Sequence, residues 1–153
     1  MSLVALHLFP TVLVFIGVVP LYTAVVEAPA GFGWLDVVAA LVTLGAIVIE
    51  AVADEQLRAF RRSTPDGGIC NVGLWSWSRH PNYFGEIGFW LGLYLFGLAA
   101  GAPWWTGIGF ASMVALFLGA TIPMAEKRSL ARRPAYAEHQ KKVSMLVPLP
   151  PRG

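Results

Sequence analysis

Two short stretches hold most of the residues able to do chemistry. The first is Glu50, Asp54, Arg58 and Arg61, spaced four, four and three residues apart. On an α-helix that spacing puts all four on one face. One account is a ladder of i,i+4 ion pairs on a solvated helix end, worth about 0.2–0.5 kcal/mol per pair. The other is a polar wall turned toward a ligand. The second stretch is Ser78-Arg79-His80-Pro81-Asn82-Tyr83-Phe84-Gly85-Glu86. Pro81 suits the first turn of a helix, where a missing N–H costs no hydrogen bond. Arg79 and His80 then precede the helix at its positive end, where free N–H groups and the dipole favour anions. Asn82 and Glu86 share a face. Glu86 lies one turn inside an apolar run, so it should meet a cation, a ligand or a polar cavity. The alternative pairs Glu86 with an arginine of the preceding segment and leaves His80 an interfacial residue.

Together the two stretches predict a pocket mixing arginines with Asp, Asn and Glu. Arginine recognises phosphate bidentately, while Asp, Asn and Glu can hold ribose hydroxyls or an amide. That is the chemistry of a nucleotide-type cofactor. Neither a Walker loop nor a Rossmann glycine pattern occurs, so a helical pocket must do the binding. A third group, Glu126-Lys127-Arg128, follows the last apolar run at the membrane edge: one account is a basic juxtamembrane helix drawn to anionic lipid, the other a lining of the cytoplasmic pocket. Beyond it, Arg132-Arg133 and Lys141-Lys142 read as a basic segment drawn to anionic lipid. Gly88 and Gly92 form a GxxxG, a device for close helix packing and self-association, so a homo-oligomer is one expectation. Gly85 reads as a packing residue, with close approach of a ligand to its backbone as the weaker option. His7 and His139 receive no role.

The elements that position these residues follow from composition. Of 153 residues, 56% are hydrophobic and 13% charged, against about 25% charged in a soluble domain. Disorder is excluded by the hydrophobicity. The lone Cys70 excludes a disulfide framework and a cysteine-based metal site. Nucleic-acid binding lacks its basic stripe. Leu3–Val26 is an uncharged apolar run interrupted only by Pro10 and Pro20. It is read as a retained helix: Ala28-Pro29-Ala30 imitates a signal-peptide cleavage site, but no basic region precedes the run. Further spans are expected from Trp34 to about Ala53, with Asp36 as a cap, from Pro81 to Ala100, and from Pro103 to Ala125. Tryptophans 34, 104 and 105 sit at their ends, as an interfacial belt requires. Gly101-Ala102-Pro103 reads as a tight turn. Four basic residues lie between Asp54 and His80 and seven follow Glu126, whereas the other side offers only Glu27 and Asp36. The positive-inside rule then puts the 54–80 segment and both termini in the cytoplasm. The expected fold is all-α: a single integral membrane domain over residues 1–153, about four transmembrane helices, and a cytoplasmic polar pocket.

The run from Glu50 to Arg61, the motif from Gly73 to Glu86, Glu126-Lys127-Arg128 and Tyr136-Ala137-Glu138 together strongly resemble one bacterial membrane family. It is the uncharacterised family grouped with the steroid 5-alpha-reductase C-terminal domain, and the resemblance covers about Trp34 to Pro151. It implies an NADPH-dependent reductase of a carbon–carbon double bond conjugated to a carbonyl, acting on a lipid-like substrate in a bacterial inner membrane. In the characterised reductases the Asp-and-Arg stripe and the Asn-x-x-Gly-Glu motif line the NADPH pocket. Carried over, these are Asp54, Arg58, Arg61, Asn82 and Glu86, with Tyr83 adjacent and Arg128 in a region of further cofactor contacts. Arg79 and His80 join this set as the residues at the helix start. Family members are usually longer, and in the steroid reductases extra N-terminal helices carry the tyrosine and acidic residue that hold the substrate carbonyl. Here one helix precedes Trp34, and Tyr22 is the stand-in by residue type. A naturally short form, a fragment and one half of an oligomeric site all fit.

The isoprenylcysteine carboxyl methyltransferases show a similar motif, Arg-His-Pro-x-Tyr-x-Gly, and bind S-adenosylmethionine in a helical pocket. Arg79, His80, Pro81, Tyr83 and Gly85 match it, but their paired glutamates are here Ala125-Glu126. The Asp54 stripe, the Asn82–Glu86 pair and the arginine count favour the reductase, since NADP carries an extra phosphate. A non-catalytic membrane protein that keeps the fold is the third reading. Sterol, polyprenyl and fatty-acyl substrates are not separated by the sequence.

Overall fold

The computed structural model describes residues 3–26, 31–64 and 67–152. Glu27 and the Ala28-Pro29-Ala30 run lie outside the described residues, as does the side chain of His7. Among the described residues the fold is helical, without strands. Helix α1 spans Leu3–Val26 and α2 spans Trp34–Ser63. The carboxylate of Asp36 accepts the Gly33 N–H at 2.8 Å, the reach-back half of a capping box. Past Ala53 the helix continues for three more turns, carrying the expected polar stripe away from the apolar part.

Helix α3, Pro81–Ala99, begins at the expected proline. It ends in a Schellman turn: Ala102 N–H donates to Gly97 O at 2.8 Å and Gly101 N–H to Leu98 O at 3.0 Å. Gly101 sits at φ +89°, where a side chain would be strained. The next span is not one regular helix. A 3-10 turn, Trp104–Gly107, leads into α4, Ile108–Leu116, a π-turn, Phe117–Thr121, and α5, Ile122–Arg132. The π-turn has a local cause. Pro123 has no N–H for the carbonyl of Gly119, and its ring crowds that turn. The short α6, Tyr136–Lys142, follows.

Two helical stretches, Trp34–Ser63 and Trp104–Arg132, are long and apolar enough to cross a membrane. The described apolar part of α1, Thr11–Val26, is shorter. Helix α3 spends its opening turns on Asn82, Tyr83 and Glu86, which lowers its apolarity.

The chain divides into two compact units. One comprises residues up to Gly45 together with Ile87–Leu116. Its core is Leu13, Trp90 and Met113, with Phe89, Leu93 and Phe110 packed against them. Small residues let its helices close up: a Cβ on Gly92 would strike Thr43, and one on Gly97 would strike Pro20. Its outer surface is apolar, with Phe15, Val25, Leu41 and Leu44 exposed. The other unit comprises Ala46–Glu86 with Phe117–Gly153 and holds the polar motifs. Its core is Ala53, Cys70 and Trp75, flanked by Leu57, Phe60 and Leu74.

Candidate functional site

The site forms within this second unit, where the segment after α2 folds back along it. The Trp75 indole N–H donates to the Ala53 carbonyl at 2.8 Å, and the Leu74 N–H donates to Gln56 Oε1 at 2.9 Å. Gly73 permits the approach, at φ +54° with Gln56 where a Cβ would be. This fold-back delivers Ser78, which is fully buried. Its hydroxyl donates to Leu146 O at 2.7 Å and accepts the His80 N–H at 3.1 Å. The Arg79 N–H donates to Ser144 O at 2.8 Å. The C-terminal segment thereby fixes the start of α3.

Arg79 is expected to face an anion at the helix start, and the anion it meets is Glu126 of α5. Arg79 Nε donates to Glu126 Oε1 at 2.6 Å, with the two side chains only 9% and 14% exposed. Its Nη1 donates to the carbonyls of Gln140 at 2.7 Å and Val143 at 2.8 Å. Gln140 Nε2 donates to the other Glu126 oxygen at 2.9 Å, and His80 Nε2 lies 3.4 Å from Oε1. One carboxylate thus organises three neighbours, two from the approach to α3 and one from α6. Such a buried, hydrogen-bonded pair is costly to break, about 3–5 kcal/mol for loss of one partner.

Beside this hub, Asp54, Arg61, Arg79, His80, Asn82 and Tyr83 line one cavity of about 330 Å³. Six of the nine residues singled out in the sequence therefore meet around one space. The His80 and Tyr83 rings stack with centroids 5.3 Å apart and planes within 4°. Tyr83 in turn leans on Phe117 of the π-turn, 5.2 Å away. The Oδ1 atom of Asn82 is buried and meets no donor among the described residues. An acceptor in that state costs about 1–3 kcal/mol in desolvation. A second cavity of about 510 Å³ shares Leu57, Arg61, Cys70 and Arg133 with the first and adds Arg132, Gly67 and Gly68. The pair lies within the range of about 300–1,000 Å³ usual for ligand pockets.

Three of the nine stand off the first cavity. Arg58 pairs with Glu55 at 2.5 Å, both about 58–59% exposed. The expected ladder through Asp54 is replaced by this i,i+3 pair, since positions three and four apart are both neighbours on a helix. Glu86 and Arg128 do not line the cavity, but both lie within electrostatic reach of Tyr83, as does Asp54. Gly85 is a packing residue: a Cβ there would stand 2.8 Å from the Ala46 carbonyl and from Glu50.

The cavity also takes residues that the sequence reading left out. Tyr136 and His139, three apart on α6, line it beside Ala125 and Ser129 of α5. Their rings meet at 5.6 Å. Burial pushes the Tyr136 hydroxyl up to about 12, with the Glu126 carboxylate adding to the effect. Burial pushes both His80 and His139 below the ordinary imidazole range, and Glu126 offsets this only in part. Both are therefore neutral near pH 7. A spacing of three was the available signal for Tyr136 and His139, but nothing in the sequence says that α6 returns to α3.

Comparison with known proteins gives a family and one relative. The profile described as "Protein of unknown function (DUF1295)" matches residues 1–143. An "Uncharacterized protein C594.04c" of Schizosaccharomyces pombe (strain 972 / ATCC 24843) is 28% identical over 165 aligned positions. The alignment covers 94% of this chain and 48% of that protein, so the chain spans about half the length of the curated relative it matches. No solved structure matches the chain.

Proposed function

We propose that this chain, which belongs to the family described as "Protein of unknown function (DUF1295)", is a membrane-embedded, NADPH-dependent reductase of a conjugated carbon–carbon double bond. Its substrate is a lipid-like enone drawn from the bilayer. The observation that carries the reading is the buried, donorless Oδ1 of Asn82, a residue that lines one cavity with Asp54 and Arg61. An orphaned acceptor beside a carboxylate suits a ligand rich in hydroxyl or amide donors, and a ribose or a carboxamide supplies them. Arg61 supplies the cation that a phosphate needs. The donor set therefore fits a dinucleotide. NADPH, when bound, supplies the hydride. The chain's own share is to bind and orient: Asn82 and Asp54 accept hydrogen bonds, Arg61 holds phosphate, and the stacked His80 and Tyr83 rings offer a flat wall.

In this reading the molecule crosses the bilayer four times, with α1, α2, α3 and the stretch from Trp104 as spans. The basic segments support a cytoplasmic side for the 54–80 segment and both termini, by the positive-inside rule. The exposed apolar surface of the first unit supports burial in lipid. A bacterial inner membrane is the location implied by the resemblance.

The test is a thermal-shift titration of the detergent-purified chain with NADPH, NADH and S-adenosylmethionine. A ligand at a hundredfold excess over Kd stabilises the fold by about 2.7 kcal/mol. The reading expects a larger shift with NADPH than with NADH. A shift with S-adenosylmethionine alone would make the protein a methyltransferase. No shift with any of the three would leave a non-catalytic membrane protein.

A further inference from the structure

We infer that the second cavity is a phosphate-group site built by Arg61, Arg132 and Arg133, holding the phosphate-bearing end of the nucleotide. The inference rests on the cofactor reading for the ligand's identity, whereas the charge pattern stands by itself. Arg61 comes from the last turn of α2, and Arg132 and Arg133 from the end of α5 and the residue after it. All three line the one cavity of about 510 Å³, and no carboxylate lines it. Among the described residues, neither Arg61 nor Arg132 has an ion pair or hydrogen-bond partner. Arg133 donates to the carbonyl of Gly68, a neutral acceptor that steers the guanidinium but leaves its charge unmatched.

Three like charges gathered at one opening repel one another, and an anion relieves that repulsion. The guanidinium fork suits phosphate oxygens above other anions of that size. The two cavities are also unlike in character. The first is lined by the stacked His80–Tyr83 pair, Asn82 and the Asp54 carboxylate among its arginines, while the second has three arginines and no carboxylate. Arg61 and Arg133 line both, so they mark the junction. A ligand with a neutral, planar, amide-bearing end and a polyphosphate end matches that order. Arg132 and Arg133 belong to the basic run that the sequence assigns to lipid attraction, and the cavity gives them a different partner.

The experiment measures binding to the full chain in a neutral detergent, using NADPH, inorganic pyrophosphate and phosphatidylglycerol as separate probes. The proposal expects NADPH and pyrophosphate each to stabilise the wild type. Arg132→Ala should weaken both by about tenfold or more, the effect of losing a hydrogen bond to a charged group. It should also flatten the salt dependence of binding. Arg132 is exposed at a helix end without partners, so the variant should fold as the wild type does. Arg133→Lys keeps the charge and loses the fork, and should weaken pyrophosphate binding less than Arg132→Ala. Full NADPH affinity in Arg132→Ala would overturn the phosphate site while leaving the cofactor reading intact. Pyrophosphate binding that depends on Arg132, with no NADPH binding, would uphold the site and sink the cofactor. Stabilisation by phosphatidylglycerol alone would assign the arginines to a lipid headgroup and overturn the proposal.

Discussion

Glu126 shows how much one side chain can decide. Its two oxygens meet Arg79, His80 and Gln140, so removing its charge strands a buried guanidinium. Glu126→Gln is expected to lower stability by about 3–5 kcal/mol. The double change of Arg79→Met with Glu126→Met should cost less than the two single changes summed, because no unpaired charge remains. Denaturant melts in detergent of the wild type, Glu126→Gln, the two single Met variants and the double variant check both. The neutral histidines give a second expectation. Their folded affinity for a proton is lowered by burial, so below about pH 6.5 the unfolded chain binds protons that the folded chain resists. Stability should therefore rise from pH 5 to pH 7. His139→Gln should flatten that slope, and an unchanged slope would show that His139 does not contribute. Residue by residue, the sequence exposes the members of the cavity that lie on one helix face, such as Asp54 and Arg61. It conceals partners brought together across the chain, since Arg79 and Glu126 stand 47 positions apart and no periodicity encodes their pairing.

At the level of elements, starts and stops are the readable part, because they depend on neighbours in sequence. Pro81 opens α3 because proline fits a first helical turn, and Gly101 closes it because the chain must turn left-handed there. The π-turn is harder to foresee. Pro123 predicts a disturbance, but whether the helix kinks, breaks or widens depends on what packs around it. Helix contacts also yield a paired test. Gly92 and Gly45 are both interior glycines, yet a Cβ on Gly92 would strike Thr43 while Gly45 faces open space. Gly92→Ala should destabilise by about 1–3 kcal/mol through overpacking. Gly45→Ala should stabilise by about 0.5–1 kcal/mol, as relief of a helical glycine does. Equal effects at the two positions would contradict the packing, and thermal melts of both variants decide it.

For the whole molecule, apolar runs and charge asymmetry reveal the class of protein directly from composition. They do not reveal that the polar motifs gather in a unit distinct from the apolar one, since both α2 and α3 run through the boundary between the units. The proposed orientation is open to direct test. A reporter active only in the cytoplasm should work when fused after Gly153 and fail when inserted in the turn at Gly101. Activity at Gly101 would reverse the orientation.

The anchoring of the α3 start to Gln140, Val143, Ser144 and Leu146 also sets an order in time. Domains generally acquire structure from the N-terminus as the chain is made, and apolar helices enter the bilayer as they emerge. Ser78 and Arg79 leave the ribosome long before the residues that hold them. During that interval the Ser78 hydroxyl and the Arg79 Nη1 lack their carbonyl partners, and α3 has no fixed beginning. The cavity lined by Arg79, His80 and Asn82 therefore takes its final form only after residues 140–146 have been translated and have folded back. A ribosome stalled before them would leave α2 and α3 formed without that cavity.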